Sequence, residues 1–186
     1  LNTSNIPNLI CLVRIALVVP IVQFMVQTEF LLSLLLIAIA GLSDILDGYL
    51  AKRNNWRTKL GTLLDPVADK ILLVSLFITL FRMELIPFWL TLIVILRDVM
   101  IVFGLGLYRY FVDIPEMNPT RISKFNTFTQ LAFVLFVIAY QIIPFPFEYL
   151  SMLFGALVSV TSIVSGLDYW ISWSILAKKK IYQNGD

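Results

Sequence analysis

Histidine is absent from the 186 residues of this chain, and cysteine occurs once, as Cys11. The first absence removes the usual general base, any Ser-His-Asp triad and imidazole metal ligands. The second excludes an intrachain disulfide. Charge is also scarce: Asp, Glu, Lys and Arg make up 14% of the residues, against 59% hydrophobic. With a mean hydropathy of +0.88, this composition excludes an ordinary soluble domain and predicts an all-α polytopic membrane protein. About six spans of roughly 20 residues fit the length. Residues 1–186 therefore read as a single membrane domain with no separate soluble part, and the first apolar segment reads as part of the bundle rather than as a leader. No nucleic-acid partner is expected.

Six apolar segments follow one another: about 9–27, 30–51, 60–81, 85–110, 125–143 and 147–177. Residues 1–8, polar and containing Pro7, read as an interfacial segment leading into the first span. With six spans, Lys52, Arg53, Arg57, Lys59, Arg109, Arg121, Lys124 and Lys178 to Lys180 all fall on one face, whereas the opposite loops hold only Arg82. The positive-inside rule then puts both termini on the cytoplasmic side, or on the matrix side of an organelle.

Set in this apolar chain are four aspartates, Asp44, Asp47, Asp65 and Asp69, in the pattern D-x2-D-G-x2-A-K-x8-G-x3-D-x3-D. Carboxylates are costly where lipid is the solvent and are retained there for function. Asp44 and Asp47 are i,i+3 and Asp65 and Asp69 are i,i+4, so each pair shares a helix face. Consecutive antiparallel segments joined by a short basic loop bring the two pairs side by side. Four anions so close repel by several kcal/mol at an effective dielectric of about 20, unless protons or cations neutralise them. With no histidine, a metal must be held by oxygen, which favours Mg²⁺, Mn²⁺ or Ca²⁺. Gly48, Ala51 and Gly61 permit close approach, and Lys52, Arg53, Arg57 and Lys59 add positive charge; together they point to a phosphate-bearing substrate. The plainer role for the aspartates is as hydrated residues at helix ends, paired with the basic loop.

The pattern resembles the signature of the CDP-alcohol phosphatidyltransferases. Asp44, Asp47, Gly48, Ala51, Gly61, Asp65 and Asp69 match it, and Lys52 stands where that family has arginine, so either Lys52 or the adjacent Arg53 would take the contact. The opening NIPNLICLVRIAL and the later IPFWLTLIVILRDVMI and PTRISKFNTFTQL are similar to the CMP-forming cardiolipin synthases, with the phosphatidylglycerophosphate synthases as near relatives. The resemblance implies a six-helix, usually dimeric membrane bundle, in the bacterial or mitochondrial inner membrane, with a cytosol-facing cleft open to lipid. It implies two Mg²⁺ or Mn²⁺ ions, held chiefly by Asp44, Asp47 and Asp65, and Asp69 as the general base that also touches metal. CDP-diacylglycerol would be held near Asn8, Gly48, Ala51, Lys52, Arg53 and Gly61 and would pass its phosphatidyl group to phosphatidylglycerol or glycerol 3-phosphate, releasing CMP.

An anionic acceptor needs further cations, and Arg97, Arg121 and Lys124 are the candidates. Arg97 falls mid-segment, where an unpaired cation is costly; its alternative role is a structural ion pair with an aspartate such as Asp98 on a neighbouring helix. Arg121 and Lys124 equally suit a solvated basic loop. Asn8 and Arg14 suit the nucleotide phosphates or a structural role, and Asp168 reads as interfacial. A cation transporter would need polar residues through the other half of the bundle. A membrane prenyltransferase would lack the Gly48, Ala51 and Gly61 spacing. The sequence favours neither.

Overall fold

A computed structural model of the chain describes residues 6–53, 61–111, 120–143 and 148–183, with side chains described for 10–43, 67–104, 120–143 and 149–171. All regular structure among these residues is helical: α1 (Ile6–Val26), α2 (Phe30–Arg53), α3 (Gly61–Arg82), α4 (Phe88–Phe111), α5 (Arg121–Ile142) and α6 (Glu148–Gln183). The six expected apolar segments coincide with the six helices, apart from their ends. α5 starts at Arg121 rather than at 125 because Thr120 caps it, its Oγ1 accepting the Ser123 N–H at 3.2 Å, which satisfies one of the donors left open by the first turn. α6 runs on through Lys178 to Lys180 for 36 residues, or about 54 Å at 1.5 Å per residue.

Two helices end in the same hydrogen-bonded wrap. After α1, the Glu29 N–H donates to Phe24 O and the Thr28 N–H to Met25 O, both at 2.9 Å; after α3, the Leu85 N–H donates to Leu80 O at 3.0 Å and the Glu84 N–H to Phe81 O at 2.9 Å. These are Schellman closures, which need a left-handed residue, usually glycine. Here Thr28 (φ 63°) and Glu84 (φ 60°) take that conformation, at a cost that glycine would avoid.

The chain divides into two compact units, Leu1–Ile86 with Val134–Pro146, and Pro87–Phe133 with Phe147–Asp186. In the first, α1 packs on α2 and α3. Cys11, Arg14, Val18, Ile21 and Met25 are its buried stripe, spaced three and four apart as a helix seam requires. α2 contributes buried Ser33, Ile37 and Ala40, and α3 contributes Ala68, Leu72, Leu76 and Leu80. In the second unit α4 packs on α6. Gly155 faces this contact: a Cβ there would stand at van der Waals distance, 3.4 Å from Leu90 Cδ2 and 3.7 Å from the Phe133 ring.

Beyond this apolar core, the outer surface is unlike that of a protein in water. Val19, Leu31, Val102, Phe103, Phe128, Met152 and Leu153 are more than half exposed, while Arg14, Arg97, Asp98, Asn126 and Gln130 are buried. Exposed apolar surface on this scale calls for an apolar surrounding. By length and composition, Arg121–Ile142 and Tyr149–Ile171 suffice to cross a membrane; Ile10–Val26 and Phe30–Ser43 are shorter apolar stretches.

Candidate functional site

Asp44, Asp47, Gly48, Ala51, Lys52 and Arg53 fall in the closing turns of α2, Gly61 and Asp65 in the opening turns of α3, and Asn8 in the first turn of α1. The side chains of these nine lie outside the described residues. The backbone carries the aspartate spacing on two successive helices joined by residues 54–60.

Asp69, one turn beyond Asp65 on α3, is described. The Arg14 guanidinium, delivered by the buried stripe of α1, donates from Nη1 to Asp69 Oδ1 at 2.9 Å. The Arg14 side chain is 1% exposed and that of Asp69 is 44% exposed. One end of this ion pair is sealed in the helix packing, and the other stands partly open. Such a carboxylate can accept a proton or ligate a cation while its orientation is held from behind.

Among the described residues no three His, Cys, Asp or Glu side chains gather as a metal site. The four aspartates of the signature, on the last part of α2 and the first part of α3 in a chain without histidine, offer only hard oxygen. That chemistry fits a divalent cation of the Mg²⁺ or Mn²⁺ type.

A second polar centre lies in the unit of α4 and α6. Arg97 is 4% exposed. Its Nη1 donates to Asp98 Oδ1 at 2.7 Å, and its Nη2 donates to Ser123 Oγ at 2.7 Å and Ser165 Oγ at 2.6 Å. The guanidinium therefore fastens α4 to the start of α5 and the middle of α6, with the Tyr169 ring centroid 6.0 Å from its Cζ. Next to it, Asn126 Oδ1 accepts from Thr161 Oγ1 at 2.9 Å and Ser162 Oγ at 3.0 Å, and Gln130 Nε2 donates to Ser162 Oγ at 3.2 Å. Arg121 and Lys124 flank Ser123 and are both exposed. Arg97 thus reaches the neighbourhood of the other two acceptor candidates through Ser123, not as an open cation beside them. Asp168 is half-buried, with Oδ2 enclosed and without a hydrogen bond.

Sequence reasoning missed Ser123, Asn126, Gln130, Ser162 and Ser165. Their signal is in the chain: Asn126 and Gln130 are i,i+4, and Ser162 and Ser165 are i,i+3, inside apolar segments where polar residues seek partners across helices.

The family model described as CDP-alcohol phosphatidyltransferase matches residues 4–175. The chain is 32% identical over 187 aligned positions to cardiolipin synthase (CMP-forming) of Homo sapiens, covering 91% of this chain and 62% of that protein. It is 37% identical over 148 positions to the probable cardiolipin synthase (CMP-forming) of Drosophila melanogaster, covering 70% of this chain and 46% of that protein. The chain thus spans less than two thirds of both animal relatives. With CDP-diacylglycerol–glycerol-3-phosphate 3-phosphatidyltransferase of Aquifex aeolicus it shares 30% identity over 188 positions, 96% of this chain and 99% of that protein. A signature carried on successive helix ends and a family match running through nearly all of the chain lead to one conclusion: this protein belongs to the CDP-alcohol phosphatidyltransferase family.

Proposed function

We propose that this protein transfers the phosphatidyl group of CDP-diacylglycerol to a hydroxyl of phosphatidylglycerol, forming cardiolipin and releasing CMP. The observation that carries this reading is the aspartate signature across the end of α2 and the start of α3. The acceptor is taken from the relatives named cardiolipin synthase. In this reading residues 1–186 are one membrane domain, and all six helices cross the bilayer. The basic residues keep both termini and the aspartates on the cytoplasmic or matrix side. Two copies form a dimer.

Transfer of this kind needs alignment and charge neutralisation more than covalent chemistry. Asp69 accepts the proton of the acceptor hydroxyl. The freed oxygen bonds to the phosphatidyl phosphorus, and the bond from that phosphorus to the CMP oxygen breaks. Asp44, Asp47 and Asp65, with Asp69, would hold Mg²⁺ or Mn²⁺, which when bound offsets the negative charge of the pyrophosphate and of departing CMP. Lys52 and Arg53 contact the nucleotide-lipid phosphates, Asn8 lies near them, and Gly48, Ala51 and Gly61 leave room for them. Arg121 and Lys124 receive the acceptor phosphate, and Arg97 supports them through Ser123.

A second acceptor, glycerol 3-phosphate giving phosphatidylglycerophosphate, is favoured by the Aquifex relative, which the chain matches along almost its full length. Purified protein incubated with CDP-diacylglycerol, Mg²⁺ and each acceptor in turn separates the two by product mass. Cardiolipin and CMP are expected with phosphatidylglycerol, and no CMP in excess chelator. CMP release with glycerol 3-phosphate alone would transfer the function to the second reading, and release with neither would overturn both.

A further inference from the structure

Arg14 was open in the sequence between a phosphate contact and a structural role; its surroundings in the first unit point to a role through Asp69. It sits in the buried stripe of α1 between Cys11 and Val18, at 1% exposure. A guanidinium enclosed there without a counter-charge would be strongly unfavourable. The counter-charge is Asp69 Oδ1, at 2.9 Å from Nη1 and 55 residues away in the chain. The pair is unequal: the arginine side chain is 1% exposed and the aspartate side chain 44% exposed.

We propose that Arg14 is the positioning residue of the reaction, holding the Asp69 carboxylate in the orientation from which it meets the acceptor hydroxyl. An aspartate on a helix can choose among staggered χ1 wells, and its χ2 is broad. A charge-assisted bond from a donor enclosed in helix packing favours one of these arrangements. The effect is one of geometry: Arg14 fixes where the carboxylate points and touches neither nucleotide nor acceptor. Its place on α1 makes the packing of α1 on α3 part of the catalytic apparatus. A small misplacement of a reacting group can cost about 100-fold in rate, so the contact should be visible in kcat.

The inference rests on Asp69 acting as the base, and the test keeps the two apart. Arg14→Met and Arg14→Lys are compared with the natural protein as folded, purified samples, recording melting temperature, affinity for CDP-diacylglycerol, and kcat and KM with the productive acceptor. The expected result for Arg14→Met is a kcat lower by about 10- to 100-fold, with nucleotide-lipid affinity within about threefold of natural. Arg14→Lys, which keeps the charge but loses the planar fork, should fall between the two. If the methionine variant does not fold, the lysine variant decides by the same split between kcat and affinity. Unchanged kcat in the folded variants would overturn the inference. So would a loss of CDP-diacylglycerol affinity with kcat intact, which would make Arg14 a phosphate ligand. Natural kcat in Asp69→Asn would instead remove the base itself, a separate outcome that Arg14 variants cannot produce.

Discussion

Two buried arginines show how the same residue type is put to different uses. Arg14 is sealed at one end of a pair whose carboxylate stands partly open. Arg97 is sealed together with its partner: their side chains are 3% and 5% exposed. Residues adjacent on a helix do not ordinarily face one another, yet Arg97 folds back on Asp98 while its other nitrogen holds two serines on other helices. Removing Arg97 takes from the buried Asp98 carboxylate its bond at 2.7 Å. Arg97→Ala is therefore expected to lower the unfolding free energy by about 3–5 kcal/mol, read as a fall in the melting temperature of the purified protein. Asp69→Asn tests the opposite kind of residue. It keeps the shape of the side chain and removes its ability to accept a proton, so turnover should vanish while CDP-diacylglycerol still binds, as measured by equilibrium binding of the nucleotide lipid.

The helices end and pack as their local chemistry dictates, with one exception. Thr120 caps α5, and Pro87 directly precedes α4. The exception is the use of threonine and glutamate at the left-handed closures of α1 and α3. Glu84→Gly should relieve that strain and raise stability by about 1 kcal/mol, less what glycine loses through a freer unfolded chain. The check is the denaturant midpoint of the purified variant. α1 itself tolerates Pro20 in its interior, although proline cannot donate to the carbonyl four residues back. Packing of its buried stripe carries the helix past that break, the same packing that delivers Arg14 to α3.

Within each unit large apolar side chains lie on the outside as well as in the core, and several polar ones, Arg14, Arg97, Asp98, Asn126 and Gln130 among them, are buried, an arrangement that lipid would stabilise better than water. The protein should accordingly stay in the membrane pellet after alkaline carbonate extraction; release into the supernatant would contradict the six-span reading. The two units share α5, whose N-terminal part belongs with α4 and α6 and whose C-terminal part belongs with α1 to α3. A hydropathy profile gives no sign of that division, because it records how apolar a segment is and not which neighbours it meets.

The helical class, the six segments and the aspartate signature were legible in the chain because each rests on local facts: apolar run length, helical spacing and residue chemistry. Even the buried polar positions of α5 and α6 left a trace, in their spacing. The Arg97–Asp98 pair was among the expectations and is present, but the partners farther away in the chain were not legible. That Arg14 reaches Asp69, and that Arg97 binds its own neighbour together with Ser123 and Ser165, depends on how helices far apart in sequence rotate and pack. The sequence by itself determined that an arginine within an apolar helix must find a counter-charge, since an unpaired buried cation is too unfavourable to persist. Only the tertiary structure decided that Arg14 reaches Asp69 and that Arg97 also holds Ser123 and Ser165, because those partners are brought together by side-chain packing between helices.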